Sequence, residues 1–89
     1  MNYSKEFLNW VDDISEKCLT DTNVIYQTFL QKEIPGIIVA DIVTGETGLS
    51  HCYSKNEFNR LIGIAIAYAK LRKIPIPEIK SFSIVQKGN

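Results

Sequence analysis

The sequence predicts an α+β domain, an antiparallel sheet of about three strands packed against two principal helices in the order α-β-β-β-α, with room for a C-terminal edge strand. Three observations point to this class. A helical repeat of apolar residues opens the chain, runs rich in β-branched and aromatic residues follow, and a capped, almost wholly apolar run stops at two prolines. With 89 residues, 45% hydrophobic and 22% charged, residues 1–89 fit a single domain with one core. At this size the buried fraction is small, so burial against a second chain adds much to stability.

In the first element Phe7, Trp10, Val11, Ile14 and Cys18 recur at steps of three and four, while Lys5, Glu6, Asn9, Asp12, Asp13 and Glu16 fall opposite. Ser4 is the expected N-cap with Glu6 in the first turn, and Thr20-Asp21-Thr22-Asn23 should end the helix. Val24–Leu30 reads as a strand, with a second helix capped by Asp21 or Thr22 as the alternative. Ile34-Pro35-Gly36 reads as the turn after it. GIIVADIVT is the next strand, and GETG a turn into a short strand, Leu49 to Tyr53, closing a hairpin.

Ser54 and Glu57 have the spacing of a capping box, so the second helix is expected to start there and to run to about Lys73, because Pro75 and Pro77 forbid continuation. Leu61 to Ala69 contains no charged residue. At about 100° per residue, Phe58, Leu61, Ile62, Ala65 and Ala69 share a side assigned to the sheet, leaving Ile64, Tyr68 and Leu71 as a second apolar patch. That patch needs cover from the first helix or from another chain. Gly63 and Ala67, four apart, would permit close backbone approach. SFSIVQ, residues 81–86, alternates as an edge strand would.

Leu49–Leu71 resembles the hairpin-and-helix unit of a group of small, functionally uncharacterised phage and prophage proteins. The resemblance rests on a strand ending in Cys52, a short cap leading to Phe58, then Gly63, the pair Ile66-Ala67 and the basic Lys70. It implies a compact strand–strand–helix unit and a mobile-element origin. The chain departs from the group at Ser54, Asn56 and Ile64, where Pro, Asp and Arg are common. The outer helix face, basic in the group, is therefore apolar here.

Net charge is zero, yet residues 1–46 carry three lysines against eight acids and residues 47–89 carry seven bases against two. Such asymmetry marks a binding surface, a basic tail for nucleic acid, or two elements that attract each other within the fold or between copies. No signal-like leader or run of membrane-spanning length is found, which places the chain in the cytoplasm with Cys18 and Cys52 as free thiols. His51 and Cys52 are strand neighbours pointing to opposite faces, so they do not make a nucleophile–base pair. No ligand spacing for a metal and no phosphate loop is present, and neither cofactor nor catalysis is expected.

A binding role remains. The first expectation is a host-protein contact, an inhibitor or modulator that also self-associates, through Ile64, Tyr68, Leu71 and Trp10. The alternative is a nucleic-acid module using Lys55, Arg60, Lys70, Arg72 and Lys73, because the element order resembles the double-stranded-RNA-binding domain. A further alternative is an oligomer that sequesters a small nucleotide signal in a pocket between subunits.

Overall fold

The computed structural model describes residues 3–51 and 59–77. Its elements are α1 (Lys5–Thr20), β1 (Val24–Gln31), β2 (Ile34–Asp41), β3 (Thr47–His51) and α2 (Arg60–Arg72), the expected α-β-β-β-α order. The three strands form one antiparallel sheet in the order β1-β2-β3. The expected residues 81–86 strand, the Ser54 cap, Lys55 and Cys52 lie outside the described residues.

Ser4 caps α1 as expected, its Oγ accepting from the Phe7 amide at 3.1 Å. Phe7, Val11, Ile14 and Cys18 are buried along one stripe. That stripe meets α2 rather than the sheet: α2 packs on β2 and β3, and α1 packs chiefly on α2. The fold is therefore layered as sheet, α2, α1.

Residues 24–31 form a strand, and the reversal after it is Lys32-Glu33, both in the left-handed region with φ 53° and 67°. This is a two-residue hairpin turn, and Ile34-Pro35-Gly36, expected as the turn, belongs to β2. Pro35 is tolerated because Leu30↔Pro35 follows the turn-closing pair Gln31↔Ile34, so its nitrogen faces away from β1. Gly48 likewise lies inside β3 rather than in the turn. A Cβ there would fall inside the Ala67 carbonyl oxygen, so the glycine is what allows α2 to lie on β3.

The second helix starts later than the capping-box reading. Asn59 is extended (φ −129°, ψ 114°), and its side chain accepts from the Ile62 amide at 3.1 Å, which makes it the N-cap. The helix ends at Lys73, left-handed at φ 59°.

Its phase is the reverse of that expected. A Cβ on Gly63 would lie 2.7 Å from Ile37 Cγ1, Ser50 Oγ donates to the Gly63 carbonyl at 2.9 Å, and Ala67 abuts Gly48. The Gly63–Ala67 line thus faces the sheet, with Ile64 and Leu71 within about 100° of it on the helical wheel. Ala65 and Ala69, fully buried, lie on the far side beneath α1. Leu61, assigned to the sheet side, is exposed. The wheel was ambiguous because an apolar residue occupies nearly every direction, whereas small residues decide which side a backbone can approach closely.

Candidate functional site

Ile64, Tyr68 and Leu71, expected as an outer contact patch, are 1%, 7% and 6% exposed and belong to the core. Their cover comes from within the chain. Trp10 is half-buried, stacked on Phe7 with ring centroids 5.8 Å apart. None of the four forms an open surface of the kind expected.

Of the basic residues proposed for nucleic acid, Arg60, Lys70 and Lys73 are exposed. Arg72 is committed elsewhere. Its Nη1 donates to Asp41 Oδ2 at 2.6 Å and its Nη2 to Asp21 Oδ2 at 2.9 Å, while the Tyr68 hydroxyl donates to the same Asp21 oxygen at 2.8 Å. The guanidinium also lies 5.6 Å from the Tyr68 ring centroid. Each carboxylate uses its other oxygen to hold a chain reversal: Asp21 Oδ1 accepts from the Asn23 amide, and Asp41 Oδ1 from Val43 and Thr44. One arginine thereby ties the reversal after α1 to the reversal after β2. The opposite charges of the two halves of the chain meet here inside the fold.

The electrostatics of this cluster are structural. The Asn23 amide, Arg72 and Tyr68 together hold the Asp21 carboxyl down at about 2. The Thr44 amide, with Arg72 and the Val43 amide, holds Asp41 low as well. Arg72 is pushed further up by hydrogen bonds to Asp21 and Asp41, and burial with the Asp21 bond raises Tyr68. None of these groups is poised to exchange a proton near neutral pH.

Cys18 is free and buried, and burial together with the nearby Asp21 charge pushes its thiol up to about 11. Thiolate is the reactive form, so Cys18 is expected to resist alkylation in the native protein at pH 8 and to react only as fast as the chain opens. Peptide mapping after a timed iodoacetamide pulse checks this; rapid native labelling of the Cys18 peptide would contradict the packing of α1.

Among the described residues, the sheet face away from the helices is left open. Gln27, Phe29, Gln31, Ile38, Leu49 and His51 line a shallow, open depression there. The Phe29 ring lies over Gly36, its partner across the hairpin, and meets the His51 ring edge-on at 5.4 Å. His51 Nε2 is 3.1 Å from Gln31 Oε1. Alternation along the strands adds Ile25, Ile34, Ala40 and Thr47 to this face, so its strand residues include no ionised carboxylate, lysine or arginine. No clustering of His, Cys, Asp and Glu suited to a metal ion occurs among the described residues. Their helices include none long and apolar enough to cross a membrane.

This face was missed because the sequence reading placed the second apolar patch on α2. The signal was present in the alternate positions of Ile25, Phe29, Ile38 and Leu49, since a sheet with both helices on one side leaves its other side bare. Fold and site define a small α+β protein with a one-sided helical cover over a three-stranded antiparallel sheet. No family model matches the chain, and comparisons with curated proteins and with solved structures found no match either.

Proposed function

We propose that the chain is a small non-enzymatic binding protein of phage or prophage origin, which works in the bacterial cytoplasm by contact with a host protein as an inhibitor or modulator. The observation that supports this reading is the sheet face that no described element covers: Ile25 is 60% exposed and Leu49 38%, flanked by Phe29 and Ile38, with polar groups at Gln27, Gln31 and His51. An apolar centre with a few polar groups is how a protein contact is built. The free, buried thiol of Cys18 fits a reducing compartment. Nucleic acid is less well served, since the face lacks cations and Arg72 is neutralised by Asp21 and Asp41. A nucleotide would find the depression too open to enclose it.

The test is affinity capture from a bacterial lysate after nuclease treatment, comparing the native chain with Leu49→Lys. Leu49 is partly exposed, so the variant should keep its circular dichroism and lose the retained protein. Equal retention by both chains would remove the sheet face from the proposal, and recovery that collapses with nuclease would move it to nucleic acid.

A further inference from the structure

We infer that the outer edge of β1, which no described strand occupies, pairs antiparallel with β1 of a second copy, centred on Gln27, so that two chains share one continuous six-stranded sheet. Edge strands are ordinarily blunted by charge, proline or a bulge. β1 reads VIYQTFLQ, eight residues without a charge, a proline or a glycine, and among the described residues it is paired on one side only. Apart from the half-buried Val24 and Phe29 its residues are exposed, with Ile25 60% exposed on one face and Leu30 72% on the other, because α2 covers β2 and β3.

The hairpin dictates which backbone groups are available. The two-residue turn makes Gln31↔Ile34 a hydrogen-bonded pair, and the Ile42 amide donating to the Asn23 carbonyl at 2.8 Å shows the same parity at the other end. Odd-numbered residues of β1 therefore point their amides and carbonyls at β2. Val24, Tyr26, Thr28 and Leu30 point theirs outward. The Val24 amide is taken by the Asp21 carbonyl at 3.3 Å; no backbone partner for the other three occurs among the described residues.

Symmetry selects the register. Two antiparallel copies of one strand are related by a twofold axis normal to the sheet, which falls midway between one residue and the same residue of the second copy. Centring on Thr28 would set Val24 against Lys32, and centring on Tyr26 would set Leu30 against Thr22; both partners lie in turns. Centring on Gln27 uses the whole strand, pairing Val24 with Leu30, Ile25 with Phe29 and Tyr26 with Thr28 of the second copy. These are apolar and aromatic–β-branched pairs of the favourable kind, and no like charges meet at the axis. The pairing uses the edge and stands apart from the host-protein reading, because it is measured on the isolated chain.

Sedimentation of the purified protein tests it, with Gln27→Lys and Gln27→Cys, the latter in a Cys52→Ser chain. Gln27 is exposed and across from its own copy in a non-hydrogen-bonded pair, where Cα atoms sit about 4.5 Å apart, close enough for a disulfide. The expected results are a concentration-dependent dimer, dissociation several-fold easier in Gln27→Lys with unchanged circular dichroism, and oxidative crosslinking of Gln27→Cys but not of Thr28→Cys. A monomer at the highest soluble concentration, a dimer indifferent to Gln27→Lys, or crosslinking through Thr28→Cys instead would each overturn the proposal.

Discussion

Gly48→Ala is expected to destabilise the domain by about 3 kcal/mol, the upper range for overpacking a tight contact. The added methyl would collide with the Ala67 carbonyl oxygen and the Leu71 amide nitrogen, both backbone atoms of a helix that cannot turn aside. Relief requires α2 to lift from β3, which also loosens Ala67 and Leu71 in the core. In a domain this small that loss is a large share of the total. Gly63→Ala is the control: its obstruction is the Ile37 side chain, which can move, so the loss should be smaller. Urea denaturation of both variants measures the difference, and a Gly48→Ala chain as stable as the native one would contradict the close approach of helix and sheet.

Arg72→Met should produce the second large effect, and a distinctive one. It removes the one ion-pair bridge between Asp21 and Asp41 among the described residues and leaves the nearly buried Asp41 without its cation. The melting temperature should fall far more than in Lys17→Ala, whose exposed pair with Asp13 is 3.7 Å long. The pH dependence should change too. Both carboxyls titrate lower in the folded chain than when unfolded, so the unfolded state takes up protons first as the medium is acidified. Their stabilisation is complete above the ordinary carboxylate range and is lost as pH falls from there toward about 2. Without Arg72 that acid loss shrinks, although the Asn23 and Thr44 amides preserve part of it. Melting curves from pH 6 to 2 with identical slopes for both chains would contradict the clamp.

The parts of this fold that sequence reasoning reached are those with local physical causes. Ser4 and the Phe7–Cys18 stripe announce α1, and the β-branched and aromatic run announces β1. What it missed is set by an atypical turn and by distant partners. Lys32-Glu33 makes the hairpin turn without glycine or asparagine, so the eye falls on Pro35-Gly36 instead. Gly48 looks like a turn residue until Ala67 is seen to lie against it. Arg72 looks like one of three bases at a helix end, and only the fold brings Asp21 and Asp41 to it. The apolar circumference of α2 correctly signalled cover on two sides, but its direction depended on Gly63 and Ala67, which carry little weight in a hydrophobic pattern.

The layering of the sheet, α2 and α1 underlies every proposal made for this molecule, and amide hydrogen exchange on the dilute protein tests it most directly. With α2 covered on both sides, amides from Ile64 to Leu71 should exchange only through global unfolding, while the outward amides of Tyr26, Thr28 and Leu30 exchange fastest within the sheet. Exchange across α2 as fast as at the β1 edge would mean that α1 does not cover it. The Ile64, Tyr68 and Leu71 patch would then return as the surface to be explained.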